Sequence, residues 1–485
     1  MARLDTPRRL RGLRGALLLL GSLGLSALSA AELKLEWNDN SKNEDGFQVE
    51  RALGSTGSFA VVAKLAANTT SYVDTNLEPG TTYRYRVCAF NAVGKSTYSN
   101  MIATTTEAAA PVGPNTAPLL TAIPAQSLRS GESRTVSFTV TDTTTSLAKL
   151  QFVATSSDPR LIPQDKLVIS GTGATRSLSL AAASGSAGTT TVTVAVHDGE
   201  FVTYQRFKVT VTGGTALAPV TTTYRSRLSR ISLLGWAGSS ESLRLDFSTE
   251  GTNKELLIRA VGPTLSSALN LSTGVRDPRF TLNRGKTLLG SNNNWGGTAA
   301  LRSTFTRLGA FALSNSSKDA ALETKVSAGD SWISVVGAGG QPSGHVLAEI
   351  YDASTDTLPS SRITRVTSRT HVGQGDSAPV LGVTITGSES RTVLVRALAA
   401  GIDSSTTLER PLIEVYRDST RTHRIEGWAP SAGLIQATTQ VGATDLNHLS
   451  DAAALLTLEP GAYTFTISCG SGAAGTGSIE LYEVR

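Results

Sequence analysis

Cysteine and histidine are scarce in this chain of 485 residues, and their scarcity excludes several classes of site. Its two cysteines, Cys88 and Cys469, are too few for a disulfide framework or a four-thiolate zinc site. The histidines are dispersed and form no H-x-x-x-H pair: His197, His345, His371, His423 and His448. Hydrophobic residues make up 40% of the chain and charged residues 17%, which is enough apolar material for packed cores and excludes wholesale disorder.

Catalytic and nucleotide-binding motifs are also missing. No serine stands in a G-x-S-x-G pattern, and Gly285-Lys286-Thr287 lacks the upstream glycine of a phosphate loop. Residues 470–475 match G-x-G-x-x-G, but a strand pattern follows them where a dinucleotide site needs a helix, so we expect a glycine-rich hairpin loop. We therefore predict no catalytic residue, no cofactor and no enzymatic activity.

The N-terminus has the residue pattern of an export signal. Five arginines lie between Arg3 and Arg14, and they precede a short apolar run from Ala16 to Leu28. This run is shorter than the roughly 20 apolar residues of a membrane span. We expect residues 1–31 to be cleaved and the protein to be secreted or held at the cell surface.

Cleavage of residues 1–31 would remove most of the excess positive charge of the chain. The whole chain carries 44 basic and 39 acidic side chains, and removing five Arg and one Asp leaves 39 and 38. The mature chain is nearly neutral, and none of its segments has the basic excess of a nucleic-acid or anionic-membrane binder. These partners are set aside.

Residues 32–107 alternate apolar and polar side chains with a period of two, which predicts strands. Tyr83 follows Leu77-Glu78-Pro79-Gly80, and its spacing fits a tyrosine corner. With Trp37 and the segments 43–51 and 89–94, this region resembles a bacterial fibronectin type III domain. The resemblance implies that Trp37 is buried in the core.

The first strand of such a domain has no room between the export signal and Trp37. The domain is therefore expected to expose a strand edge, which could pair with another chain. Asp39, Ser41, Asn43 and Asp45 have a superficial calcium-loop spacing, with Glu50 at the twelfth position. Glu44 stands where that loop requires glycine, and the run also fits an inter-strand loop, so we assign no metal ligand and leave calcium open.

A second domain follows a linker at residues 108–117. Residues 118–212 contain further strand patterns, and the segments 115–118, 158–163 and 196–199 resemble cadherin-like or immunoglobulin-like repeats of large bacterial surface proteins. We predict another β-sandwich there.

The last part of the chain is an internal repeat. Six matches occur in the same order at offsets of 131 to 137, including Ser226–Ile231 with Ser361–Val366 and Glu349–Tyr351 with Glu480–Tyr482. We predict two β-sandwich copies at 225–354 and 361–485, resembling a repeat without assigned chemistry from large secreted bacterial proteins. The shared residues Asp319 and Asp451, and Arg259 and Arg396, are interpreted as turn caps and strand-edge ion pairs.

Ligand binding could depend on tryptophan. Trp295 and Trp428 occupy equivalent positions and are expected to be core or loop anchors. Trp236 aligns with His371, so the fold does not demand an aromatic ring there, and Trp236 is the candidate for an exposed contact. Cys469 continues an inward-facing set, whereas Cys88 is expected to face solvent, where it could pair with another molecule.

The sequence thus predicts an all-β string of four β-sandwich-like domains. We expect a non-catalytic role in adhesion, scaffolding or ligand binding, with an extracellular polysaccharide or a cell-surface protein as partner. The alternatives are a carbohydrate-binding accessory of polysaccharide degradation and, less favoured, a hydrolase within the repeats.

Overall fold

The computed structural model describes residues 31–78, 80–106, 114–218, 225–238, 242–265, 273–340, 343–355, 361–372, 379–399, 408, 410–469 and 475–484. The chain divides into two compact units, residues 1–115 and 116–485, and the division lies within the predicted linker. Residues 1–30 of the predicted export signal and residues 470–474 of the glycine-rich segment lie outside the described residues, whereas the last residue of the predicted signal, Ala31, begins the first strand.

The first unit is a small β-sandwich. Its strands are β1 (Ala31–Glu36), β2 (Gly46–Leu53), β3 (Ala60–Ala66), β4 (Ser71–Leu77), β5 (Thr82–Asn91), β6 (Gly94–Lys95) and β7 (Ile102–Thr105). One sheet pairs β1 with β4, and the other has the order β3-β2-β5-β6, with β7 also on β5. Within the described part of this unit, β1 has no strand on the side away from β4.

Two sequence predictions for this unit are confirmed. Trp37 is 5% exposed, and its ring centroid lies 5.7 Å from that of Phe47. The Tyr83 hydroxyl accepts a hydrogen bond of 3.0 Å from the backbone N–H of Glu78, five residues upstream. This is the tyrosine corner, which ties the turn before β5 to the core.

The second unit begins with an immunoglobulin-like sandwich. Its strands are β8 (Leu119–Leu120), β9 (Gln126–Arg129), β10 (Ser133–Thr141), β11 (Gln151–Ser156), β12 (Val168–Ser170), β13 (Thr175–Ala181), β14 (Ser186–His197), β15 (Val202–Thr212) and β16 (Thr215–Ala216), with a 3₁₀ turn at Gln164–Lys166. Sheets of order β12-β13-β10-β8 and β11-β14-β15-β9 enclose its core, and β16 pairs with β14. Its likeness to cadherin repeats stays a prediction.

The elements of the first repeat copy that lie wholly within the described residues are eight strands and one α-helix. They are β17 (Ser226–Ala237), β18 (Leu243–Gly251), β19 (Lys254–Val261), β20 (Pro278–Arg284), β21 (Thr287–Asn292), α1 (Ala299–Leu308), β22 (Ala320–Val326), β23 (Gly329–Gly337) and β24 (Gly344–Asp352), with a 3₁₀ turn at Ala338–Gly340.

The second copy repeats this order. Its elements are β25 (Ser361–Val372), β26 (Val380–Gly387), β27 (Arg391–Leu398), β28 (Pro411–Arg417), β29 (Thr420–Glu426), α2 (Ala432–Gln440), β30 (Ala452–Leu458), β31 (Gly461–Cys469) and β32 (Gly475–Glu483). The described strands support the internal repeat found in the sequence.

The two copies share their sheets. Sheet A has the order β22-β19-β24-β17-β26-β31-β28-β29, and sheet B has the order β21-β20-β23-β18-β25-β32-β27-β30. Each copy gives four strands to each sheet, and exchanging the copies converts one strand order into the other. The all-β sandwich fold is as predicted, but the copies join edge to edge through β17–β26 and β18–β25 around one continuous apolar core.

Each copy also contains a short helix that the strand patterns of its sequence do not predict. Thr298 and Ser431 are the N-caps, and their side chains accept from the backbone N–H of Leu301 and Leu434. Gly309 ends α1 in the left-handed conformation, with φ of 65°.

The immunoglobulin-like sandwich docks against the second copy. Ile435 of α2 lies in an apolar cluster with Ala195 and Val202 of the immunoglobulin-like sandwich. The Tyr204 hydroxyl donates to the Leu446 carbonyl at 2.7 Å, and burial raises the pKa of Tyr204, so the hydroxyl keeps its proton for this bond. The docking therefore combines apolar burial with a directed hydrogen bond.

Candidate functional site

A buried cluster of charged side chains occurs in each repeat copy. In the first copy, Lys254 Nζ lies 2.6 Å from Asp352 Oδ1, and Arg227 Nε lies 2.9 Å from Asp352 Oδ2. The side chains of Lys254 and Asp352 are fully buried. The equivalent cluster of the second copy consists of Arg362, Arg391 and Glu483. Arg227 and Arg362 belong to the repeated motif at the start of each copy, so this part of the motif forms a buried ion pair in both copies.

A second duplicated cluster surrounds a glutamate on the last strand of each copy. Glu349 accepts from Arg230 at 2.7 Å and from the Tyr351 hydroxyl at 2.8 Å, and Arg259 Nε lies 3.0 Å from its other oxygen. Burial and the neighbouring Glu349 raise the pKa of Tyr351, which keeps its hydroxyl a donor. Glu349 and Arg259 are fully buried, so removing either partner would leave an unpaired buried charge and destabilise the fold.

The shared aspartates act as turn caps. Asp319 accepts from the backbone N–H of Gly262 at 2.8 Å and from the hydroxyl of Thr264. Asp451 accepts from the backbone N–H of Ala399 at 2.8 Å. The structural interpretation of these duplicated acids is confirmed.

Trp236 lies on the outer face of sheet A. Its side chain is 39% exposed, and its ring meets that of His345 edge to face, with centroids 5.0 Å apart. His345 Nδ1 and the Thr273 hydroxyl share a hydrogen bond of 3.0 Å, which fixes the imidazole. The predicted exposure of Trp236 is confirmed, and a ligand there stays a prediction.

Trp295 and Trp428 are anchors, as the sequence predicts. They are 2% and 8% exposed. Trp295 Nε1 donates to the Ser314 carbonyl at 3.0 Å, and Trp428 Nε1 donates to the His448 carbonyl at 2.9 Å. Each indole thereby fastens the loop after the helix of its copy.

A polar groove lies on sheet B where the two copies join, and we call it the junction groove. Its volume is about 450 Å³, within the range of roughly 300–1,000 Å³ that is usual for small-molecule sites. It is lined by Asp246, Thr367, Ser368, Arg369, Leu398, Thr444, Asp445, Asn447, Asp451, Ser478 and Glu480. Strands from both copies form its floor, and the loop after α2 forms its wall.

Each exposed carboxylate of the junction groove has its own arginine. The Arg244 guanidinium donates two hydrogen bonds, of 2.9 and 2.7 Å, to the Asp246 carboxylate. Arg206, from the docked immunoglobulin-like sandwich, forms a bidentate pair with Asp445 in which one bond is 2.8 Å. Such two-bond pairs hold both side chains in fixed positions.

Glu480 and Arg396 close the groove on its inner side. Arg396 Nη2 lies 2.9 Å from Glu480 Oε2, and Arg396 also donates to the carbonyl and hydroxyl of Thr444 at 2.6 and 3.0 Å. The Glu480 side chain is 13% exposed, whereas Glu349, its counterpart, is fully buried. The repeat glutamate thus reaches a solvent-accessible cavity in the second copy.

The equivalent place in the first copy carries apolar side chains. Leu234 stands where the second copy has Arg369, Leu347 where it has Ser478, and Phe311 where it has Thr444. Leu234 and Leu347 pair across β17 and β24 and pack on an apolar cluster, just as Arg369 and Ser478 pair across β25 and β32. The groove therefore exists because three apolar residues are replaced by polar ones.

Trp332 lies beside the groove, and the sequence does not single it out. It pairs with Asp246 across β23 and β18, one strand beyond the groove floor. The Arg244 guanidinium lies 4.3 Å from the centre of its ring. Only the sheet pairing brings Trp332 to Asp246, because 86 positions separate them along the chain.

The prediction for Cys88 is wrong. Cys88 is fully buried under the outer polar side chains of its sheet, and burial raises the pKa of its thiol. Period two places it on the outer face, but Glu50, Arg86 and Tyr98 interact with one another over that face. Cys469 is half-buried against the core of the repeats.

The glycine-rich segment predicted to be a hairpin loop lies, at residues 470–474, outside the described residues. The strand before it, β31, belongs to sheet A, and the strand after it, β32, belongs to sheet B, so these two strands do not pair with each other. A strand follows the segment where a dinucleotide fingerprint needs a helix.

The described ranges contain no group of three or more His, Cys, Asp or Glu side chains that could hold a metal ion. In the calcium-like run, Asp39 accepts from the Ser41 backbone N–H at 2.8 Å, which is an ordinary turn contact. No helix in those ranges is both long and apolar enough to cross a bilayer.

Comparison with known proteins identifies one module by family. Residues 22–105 match the fibronectin type III domain model. The match begins inside the predicted export signal, in a segment outside the described residues. No curated protein matches the chain.

Solved structures resemble parts of the fold. The FN1–FN3 domains of chicken CNTN1 are 10% identical, cover 75% of this chain and 92% of their own, and have a TM-score of 0.16. Domains 4 and 5 of the S-layer protein SbsC are 16% identical and cover 37% and 80%, with a TM-score of 0.18. The third fibronectin III domain of human KIAA0343 is 14% identical and covers 20% and 99%, with a TM-score of 0.16.

The chain is a modular β-sandwich protein of a kind suited to binding or scaffolding. Residues 22–105 match a class of domains that commonly mediates protein binding.

Proposed function

We propose that this chain is an exported, non-catalytic binding scaffold that acts at or beyond the bacterial cell surface. The arginine-rich N-terminus with its short apolar run supports export. The fibronectin type III module supports a binding role.

The observation that carries the proposal is the construction of the second unit. The two repeat copies share both sheets, and the immunoglobulin-like sandwich is docked on the second copy. Such a body holds its surface residues in fixed relative positions, which lowers the entropy cost of binding a large partner.

Absence of catalysis is proposed because the duplicated charged residues already have structural roles. Lys254, Arg259 and Asp319 hold the fold together through buried ion pairs and a turn cap. Catalytic acids and bases must instead be within reach of a substrate.

A carbohydrate-binding accessory is the second candidate, and the junction groove favours it. Its wall of hydroxyl, amide and carboxylate groups can both donate to and accept from sugar hydroxyls.

One experiment tests export, binding and catalysis together. The full gene product is expressed in a bacterial host, and its N-terminus is sequenced in the medium and in the cell fraction. The purified mature chain is then incubated with whole cells and insoluble polysaccharides while released sugars and acids are measured.

We expect processing near Ala31, saturable binding and no turnover. Retention of residues 1–31 in a cytoplasmic product would contradict export. Turnover that is lost on substitution of a single carboxylate or serine would contradict the non-catalytic role.

A further inference from the structure

We propose that the junction groove binds a neutral oligosaccharide. This inference rests on the proposed binding function and assigns it to one surface of the second unit.

The balance of charge in the groove points to an uncharged ligand. Asp246, Asp445 and Glu480 are each paired with an arginine that is fixed by sheet or domain contacts. Arg369 adds a positive charge to the lining, and Asp451 adds a negative one. A charged ligand would have to displace an existing pair, whereas a neutral one can bond to the outer lone pairs and N–H groups of these pairs.

The polarity of the groove points to hydroxyl groups. Leu398 is the apolar residue among its lining side chains, so an apolar ligand would find few partners. Sugar hydroxyls both donate and accept, and they match a wall that alternates carboxylates with serine, threonine, asparagine and arginine.

Comparison with the first copy indicates that the cavity is a functional feature. In the first copy, Leu234 and Leu347 pack on an apolar cluster at this place, and Phe311, which is 38% exposed, lies over the Arg259 guanidinium. Burial of apolar side chains contributes roughly 25 cal/mol per Å². The second copy lacks part of this stabilisation and has an open polar surface at the same place. Local departures from good packing of this kind are typical of functional sites.

The internal repeat supplies the test variants. Thr444→Phe and Arg369→Leu each place the residue of the first copy into the second, at a position where the fold accommodates it. Both fill the groove with apolar atoms and keep both members of the Arg396–Glu480 ion pair. Thr444→Phe removes one hydroxyl bond of Arg396 but keeps the bond to the backbone carbonyl of residue 444. Leu288→Ala, on the exposed edge strand β21 and outside the groove lining, is the control.

Binding of the mature chain is measured by titration calorimetry with cellohexaose, xylohexaose, mannohexaose and N-acetylchitohexaose. An oligogalacturonate and spermidine serve as charged probes. We expect at least one neutral hexaose to bind, with little dependence on salt. We expect both groove variants to weaken it about tenfold or more, or about 1.4 kcal/mol, with the melting temperature kept. Leu288→Ala should bind as the unaltered chain does.

Three results would overturn the proposal. One is equal binding by the groove variants, another is binding of only a charged probe, and the third is no binding of any neutral hexaose. If the unaltered chain and both groove variants still bind whole cells or insoluble polysaccharide equally, the groove proposal fails and the scaffold function stands. If the unaltered chain binds none of these materials, both fail.

Discussion

Single residues in this protein are often buried where a strand pattern places them on the surface. Cys88 alternates with inward-facing residues and yet is fully buried, because polar side chains on its own face cover it. Arg259 is fully buried as well, and aromatic rings and Glu349 surround it. The environment of such residues is set by neighbours from distant strands.

Burial makes Cys88 a poorly reactive thiol. A cysteine reacts as its thiolate, and both the raised pKa and the lack of solvent access oppose that form. We expect a thiol-specific maleimide to label Cys469 in the native chain and to label Cys88 only after unfolding in urea. Peptide mass mapping of the labelled chain distinguishes the two sites.

Cys88→Ser provides the control for this assignment, since it removes one of the two labelling sites in the unfolded chain. Rapid native labelling of Cys88, or a disulfide-linked dimer lost in that variant, would show that the thiol is accessible.

At the scale of elements, the helices α1 and α2 show how the two copies have diverged. Ile435 of α2 packs on the immunoglobulin-like sandwich, and Arg302 stands at the same position of the solvent-facing helix α1. Arg302 bonds locally to the Gly297 carbonyl and the Asn315 side chain. An isoleucine thus stands at the contact position of the docking helix where the exposed helix has an arginine.

Ile435→Arg should loosen the docking while leaving the helix formed. Loss of a buried isoleucine costs about 2–5 kcal/mol, and an arginine at the interface would also need desolvation. We expect hydrogen exchange to increase in β11, β15 and the loop 444–451, and the immunoglobulin-like sandwich to melt separately in calorimetry.

Gln440→Arg is the matched control, because it places the counterpart residue Arg307 on the exposed end of the same helix. This variant should exchange and melt like the unaltered chain. An unchanged exchange pattern in Ile435→Arg would mean that Ile435 does not hold the interface.

The sequence predicts local features well and long-range pairing poorly. Tyr83 and Trp37 are found from sequence because each contacts residues within its own module. The sharing of sheets by the repeat copies is not found, because β17 has the same alternation whether its partner is β24 alone or β24 and β26 together. The junction groove is not predicted from the sequence for the same reason, because only the pairing of strands between the copies brings Asp246 and Glu480 to one groove.

At the scale of the whole molecule, the shared sheets predict that the two copies unfold as one cooperative body. Ile385 of β26 is 1% exposed and pairs with Leu228 of the first copy. We expect Ile385→Ala, which costs about 2–5 kcal/mol, to lower the protection of β17 and β24 as much as that of β31. Hydrogen exchange with mass spectrometry measures all three strands at once.

Val49→Ala in the first unit is the control, and its effect should stay within residues 31–106, since the two units are compact separately. Copies that respond independently, with the first copy unaffected by Ile385→Ala, would show that the shared sheets do not couple them.

The edge-to-edge joining of the repeat also bears on proteins that carry one copy of such a unit. In this chain β17 and β18 each pair on one edge with a strand of the other copy. A solitary unit would leave that edge of each strand without a partner. Two-fold association with a second molecule would cover both at once. The tandem repeat is in this sense a dimer fused into a single chain, and the fusion makes its assembly independent of protein concentration.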